Sequence, residues 1–391
     1  MIVSNRQRIN KSLSTSPLPN SQPTSTTMRT IRAGVLQSIK VISDDEFIIK
    51  DTIYGTHRIT EPVLIELLDC PALARLRGVC QHGITSLLGY GPQITRYEHS
   101  VGAFLLVRKV GGSLEEQIAA LLHDVSHTAL SHVADWALSQ PGESYHETNK
   151  MEYIATTTLP QILTEHGIDH KVFDEDLYPL VERPAPHLCA DRLDYTLRDS
   201  RVLQDLTHEK AMQVYATVTA YPDATSPDRI LTLADPQLAL DLARAYIATD
   251  QDVWCNPVHL DMYRRVGQVI GDLVSRKILD RDLLYKYPDV EFWRYLAATA
   301  EKAGSTVIAD IEAEARAYIG QNPDLTPPRS ETLLLPTGAK VRTIDPDVVL
   351  EGQAPQPLSV IIPQWGFERR KYIERREAQR EKPSTRGPAR Y

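Results

Sequence analysis

The stretch Ile118-Ala119-Ala120-Leu121-Leu122-His123-Asp124-Val125-Ser126-His127-Thr128-Ala129-Leu130-Ser131-His132-Val133-Ala134-Asp135 decides the fold. A strongly apolar helical run ends directly on an ionisable pair. Burying His123 and Asp124 is costly unless something satisfies them. A divalent metal does so, because imidazole and carboxylate suit first-row ions. On a helix, His123 and His127 stand one turn apart and both can face one cavity. A lone His-Asp pair also has a plainer reading as a helix C-terminus, where the dipole favours histidine. The neighbourhood argues for chemistry: eight of the twelve histidines lie between Arg96 and Asp199, mostly in helical contexts.

Outward from this stretch, helical patterns dominate. Ser113 is a helix N-cap with Glu116 at the capping-box position. Pro62 opens a helix through Leu68, Pro71 another to about Gln81, and Pro186 precedes one over His187–Arg198. Further helices are expected over Asp235–Ala248 and Val258–Leu279. Phe47–Ile59, rich in β-branched and aromatic residues with Gly55 at its turn, reads as a short hairpin. Glu331–Pro363 holds short β-like runs (TLLLP, AKVRTI, LSVII) broken by Pro and Gly. The fold expected is mostly α, with an N-terminal β-hairpin and a small C-terminal α+β region. The division expected is a basic Ser/Thr/Pro tail over 1–43, a core over 44–280, an α+β subdomain over 281–367 and a charged tail over 368–391.

Composition excludes several classes. The longest apolar stretches, such as Val101–Val107, fall far short of the ~18 residues that span a bilayer. A net charge of −8 argues against a broad nucleic-acid surface. Cys70, Cys80, Cys189 and Cys255 form neither a disulfide framework nor a Cys-x-x-Cys metal pair. An intracellular location, cytoplasmic or nuclear, is the expectation. The tail before Asp44 has six Lys/Arg and no acid, which leaves a mitochondrial presequence as the alternative.

His99, then His123-Asp124 after 24 residues, then Asp191 after a further 67, resembles the metal-binding pattern of the HD-domain phosphohydrolases. Arg96-Tyr-Glu-His-Ser-Val-Gly102, Ser131-His132, Tyr145-His146-Glu147 and Asp191-Arg-Leu-Asp-Tyr195 are similar to the deoxynucleoside triphosphate triphosphohydrolase branch. So are Lys50–Gly55, Ala74–Gln81 and Asn256–Ile270. The resemblance covers roughly residues 45–280, without a sterile-alpha-motif domain. It implies an HD-domain helical bundle. It also implies that His99, His123, Asp124 and Asp191 bind one divalent transition metal (Mn, Fe, Zn or Co), with additional Mg arriving on the nucleotide. By the same resemblance His146 is the general acid with Glu147 orienting it, His127 and His132 line the phosphate site, and Asp135 supports a histidine. Gln81, Arg96, Arg192, Tyr195, Asp199, His259 and Tyr263 would contact substrate, with Asp199 on the sugar 3′-hydroxyl. His82 is read as structural.

There are departures. Ser126 stands where the family usually has Gly. Cys255 falls where the branch has an Arg that clamps the phosphate tail, with Arg264 and Arg265 as candidate substitutes. The activity implied is metal-activated hydroxide attacking the α-phosphorus of a dNTP, giving deoxynucleoside and triphosphate. The alternatives are a nucleoside monophosphate phosphatase with a 5′- or 3′-phosphate substrate, and a catalytically inactive nucleotide-binding protein. A phosphodiesterase or di-iron oxygenase on the same fold is a further class. A homodimer or higher oligomer is expected from the resemblance.

Overall fold

Thr95 starts the helix that carries the first histidine. Its hydroxyl accepts the Glu98 backbone N–H, and the Glu98 carboxylate accepts the N–H of Thr95, a complete capping box. The computed structural model describes residues 36–43, 46–140, 142–320 and 333–381. Strands β1 (Leu36–Ser43), β2 (Glu46–Asp51) and β3 (Gly55–Ile59) form an antiparallel sheet in that order. The expected hairpin is β2–β3. Strand β1 continues the sheet ahead of the boundary expected at residue 43, since every backbone N–H and C=O on the β2 edge needs a partner.

Helix α1 (Pro62–Asp69) follows, and α2 (Arg96–Lys109) and α3 (Leu114–Leu122) form the centre. Helix α2 is buried almost all round, the mark of a central helix. Ser113 caps α3 as expected, but Glu116 does not reach back to it. Its carboxylate is fully buried, holds Arg229 at 2.9 Å and accepts the Leu180 N–H. Next come α4 (Val133–Leu138), α5 (Tyr145–Thr148), α6 (Ala190–Val202), α7 (Pro236–Thr249), α8 (Pro257–Ser275) and α9 (Pro363–Ala378). Helix α6 begins three residues after the expected start at His187. The helix expected from Pro71 to Gln81 is one α-turn, Pro71–Ala74, followed by a 3₁₀ turn, Arg75–Gly78.

A second sheet joins distant parts of the chain. Strand β4 (Val218–Tyr221) pairs antiparallel with β5 (Ile230–Leu233), β5 lies parallel to β6 (Asp347–Val348), and β6 pairs with β7 (Gln356–Pro357). Of the three expected β-like runs, LSVII is a helical turn, Leu358–Ile361. Leu284, Phe292 and Leu296 share one apolar cluster with Val133 and Val266, so packing continues across residue 280. The charged tail expected from residue 368 begins inside a packed helix: α9 buries Trp365, Tyr372 and Arg376. The rest of both tails, 1–35 and 382–391, lies outside the described residues. Among the described residues no helix is long and apolar enough to cross a membrane.

Candidate metal centre

Four residues from three helices meet at one point. His99 comes from the first turn of α2, His123 and Asp124 from the end of α3, and Asp191 from the first turn of α6. His99 Nε2 lies 2.9 Å from Asp191 Oδ1 and 3.1 Å from His123 Nε2. His123 Nε2 is 3.4 Å from Asp191 Oδ1, and Asp124 carboxylate oxygens lie 3.7 Å from both imidazole nitrogens. Ligands at ~2.1 Å from a shared ion are about 3 Å from each other; His99, His123 and Asp191 have that spacing, with Asp124 at the edge of the cluster and also close to His127 and His146. The other ring nitrogens are engaged outward. His99 Nδ1 faces Asp194 Oδ2 at 2.7 Å, and His123 Nδ1 faces the Ala120 carbonyl at 2.8 Å. Both tautomers thereby present a bare Nε2 inward, as metal ligands require. Burial pushes the His99 pKa down, but Asp191 and Asp194 outweigh it and hold it up to about 10. The cavity is built to hold positive charge. The donor set therefore fits a divalent ion.

A buried frame holds Asp194. Arg198 Nε donates to both its oxygens at 2.9 Å and Tyr54 Oη donates to Oδ1 at 2.7 Å, while Arg198 Nη2 reaches Asp51 Oδ2 at 3.0 Å. Asp51 also accepts the N–H groups of Ile53 and Tyr54. The sheet thus buttresses His99 through Asp51, Arg198 and Asp194.

Beyond His123 the chain leaves the helix, contrary to the helical reading of this stretch. Leu130 and Ser131 adopt left-handed backbone conformations (φ 60° and 49°), a costly geometry held by anchors from elsewhere. Asp289 accepts the Leu130 N–H, Ser131 Oγ donates to the Cys80 carbonyl, and Arg75 holds the carbonyls of Val125 and His127. As a result His127 and His123 flank Asp124 from two sides, with His127 Nε2 3.3 Å from Asp124 Oδ1. His146, on α5, stacks on the His127 ring at 3.6 Å between centroids. His132 packs edge-on to His127 at 5.1 Å, and its Nδ1 is 3.0 Å from Asp135 Oδ2. Burial, then the charge of Arg96, holds His127 well below the usual histidine range. Burial and His132 bring His146 down to about 3. These are neutral imidazoles.

In Cordyceps militaris the metal-dependent phosphohydrolase cns2 is 50% identical over 343 residues, covering 87% of this chain and 96% of its own length. The chain belongs to the metal-dependent phosphohydrolases. The deoxynucleoside triphosphate triphosphohydrolase SAMHD1 of Gallus gallus is 28% identical over 165 residues, 36% of this chain and 26% of that protein. A phosphohydrolase structure from Bacteroides thetaiotaomicron shares the fold, with a TM-score of 0.54 at 18% identity over 80% of this chain and 94% of that one. No family model matches.

Within this phosphohydrolase the substrate-contact expectations divide. Gln81 is buried and its Oε1 has no hydrogen-bond partner, as a group awaiting a ligand would be. Tyr195 stands 6.3 Å from the His99 ring with its hydroxyl on Tyr246 (2.8 Å), and the buried His259 keeps Nδ1 on the Val253 carbonyl at 3.1 Å. Tyr263 gives its hydroxyl to the His82 carbonyl at 2.7 Å. Arg96 is wholly buried: Nη1 reaches Asp124 at 2.6 Å, Nε donates to Ser131, and Nη2 lies 3.2 Å from His132 Nε2. It therefore borders the histidine cluster while countering the charge of Asp124. Asp199 is fully buried with His82 at 3.0 Å and Trp254 Nε1 at 2.8 Å, so its carboxylate is already engaged in bracing the wall. Arg192 is turned onto Glu182 (3.1 Å) and backbone carbonyls. Arg264 and Arg265 are no substitutes for a phosphate clamp, being paired with Asp261 (2.6 Å) and Glu314 (2.8 Å), and Cys255 is wholly buried. Glu147 is mostly exposed and 3.8 Å from His146; Ser144 Oγ, at 2.9 Å from Nδ1, orients that ring instead. Asp135 supports His132 as expected. Asp194, Ser144 and Trp254 went unread. Asp194 lies three residues after Asp191, one helical turn on, which is the signal that could have found it.

Proposed function

We propose that this phosphohydrolase cleaves the phosphate monoester of a nucleoside monophosphate, releasing nucleoside and inorganic phosphate. One observation carries the choice: Arg264 and Arg265, the candidate clamps for a longer phosphate tail, are already paired with Asp261 and Glu314. A divalent ion of the Mn, Fe, Zn or Co type, held by His99, His123, Asp124 and Asp191, supplies Lewis acidity toward phosphorus and a water of lowered pKa. The chain's own residues do the rest. Arg96 and His132 border the phosphate, and the aromatic wall of Tyr195 and Trp254 receives the nucleoside. The water oxygen bonds to phosphorus, the ester P–O bond breaks, and His146 passes a proton to the leaving oxygen. Burial chiefly holds His146 down, and the negative charge of a bound phosphate dianion acts in the opposite direction, so the substrate itself promotes protonation of the acid.

The second reading, hydrolysis of a dNTP to deoxynucleoside and triphosphate, draws support from the similarity to SAMHD1. Metal-loaded full-length chain is incubated with nucleoside mono- and triphosphates and the products are separated by chromatography. Orthophosphate from monophosphates with intact triphosphates supports the proposal. Intact tripolyphosphate from dNTPs selects the second reading instead.

A further inference from the structure

Arg342 reaches the site from outside the helical core. It lies in the irregular segment that precedes β6, and its backbone N–H donates to Asp250 Oδ2 at 3.2 Å. The same oxygen accepts the Tyr372 hydroxyl of α9 at 2.8 Å. Asp250 opens a π-helical turn, Asp250–Trp254, inserted between α7 and α8. Such turns are rare and concentrate at functional sites. At its far end Trp254 packs against Tyr195 (4.9 Å) and Tyr246 (4.8 Å), the wall beside His99. The segment carrying Arg342 is thus pinned to the edge of the substrate wall.

The guanidinium itself is hardly used. Among the described residues it makes one hydrogen bond, to the Lys340 carbonyl at 3.2 Å, and approaches Asp250 Oδ1 only to 3.9 Å. That carboxylate oxygen is buried without a hydrogen-bond partner. The Arg342 side chain is 34% exposed. A guanidinium carries five N–H donors in a planar fork. Its positive charge acts on Tyr195, Tyr246, Tyr263 and His132, so it stands near both the wall and the histidine cluster. Arg96, Arg192, Arg264 and Arg265, by contrast, are each held by a carboxylate.

We propose that Arg342 binds the substrate's phosphate, completing with Arg96 a cationic pocket whose second arm comes from the C-terminal segment. This deepens the phosphomonoesterase reading and rests on it for the substrate. The expected ligand is a phosphate dianion taken by the fork in two parallel hydrogen bonds.

The test uses metal-loaded full-length chain, wild type, Arg342→Gln and Arg342→Lys. Inorganic phosphate binding is measured by calorimetry, and KM and kcat with nucleoside monophosphates. Because the segment is pinned through a backbone N–H, the variants should keep wild-type metal content and thermal midpoint. Arg342→Gln should weaken phosphate binding and raise KM about tenfold to a hundredfold, with kcat changed less. Arg342→Lys should recover little, since an ammonium has no fork. Equal phosphate affinity in wild type and Arg342→Gln overturns the assignment. Arg342-dependent phosphate binding without monophosphate turnover overturns the substrate reading and leaves the assignment standing.

Discussion

His146 is the side chain whose role follows most directly from its neighbours. It stacks on His127, is oriented by Ser144, and stands outside the cluster formed by the His99, His123 and Asp191 ligand atoms. His146→Ala should therefore keep its metal while nucleotide turnover falls by about 10²–10⁴. An ester whose alcohol is already a good leaving group, such as p-nitrophenyl phosphate, needs no protonation and should lose far less. Equal losses on both substrates would remove His146 from the acid role. The quartet was read from its resemblance to the HD-domain pattern, whose His/His-Asp/Asp order survives any error in helix boundaries. Its supports were not. Asp194 and Ser144 are ordinary polar residues until the fold brings them to a ring nitrogen. The bracing by Asp199 was hidden for the complementary reason: its partners, His82 and Trp254, are 117 and 55 residues away.

The site's precision at the next scale depends on how closely α2 and α6 approach. Gly102 makes that possible. A Cβ there would stand 1.8 Å from Asp194 Oδ1 and 2.3 Å from Arg198 Nη2, inside the pair that holds His99. Gly102→Ala should force this buried pair apart, at a cost of about 3 kcal/mol or more. Metal affinity should drop about tenfold to a hundredfold as His99 loses its orienting carboxylate. Urea unfolding and a competitive metal titration read both effects; wild-type values in both would show that the helices tolerate a wider gap. Elements with local signals, such as the caps at Thr95 and Ser113, were readable. Leu358–Ile361 was not, because four apolar residues carry no period that separates strand from helix. The loop after His123 escaped too, since its left-handed turn is imposed by Asp289 and Arg75 from outside.

Over the whole molecule, the C-terminal part closes back onto the core, with β6 beside β5 and Tyr372 on Asp250, pairings that no local pattern announces. This closure helps bury the α7–α8 junction, and His259 shows the energetic consequence. It is 5% exposed, and its Nδ1 faces the Val253 carbonyl, an arrangement suited to the neutral ring. Burial lowers its pKa to about 4, from 6.5 in an unstructured chain. Between these values the unfolded chain takes up a proton that the folded chain refuses, so stability rises with pH across the window. It is fully present above about 6.5, declines as pH falls, and is lost below about 4, where both states are protonated. The difference amounts to about 3 kcal/mol. His259→Gln keeps a donor for the Val253 carbonyl and does not titrate. In urea unfolding with chelator present, wild type should lose about 3 kcal/mol more than this variant between pH 7 and pH 4. Parallel losses would mean that the folded protein accepts the proton at His259, and that the junction is open to water.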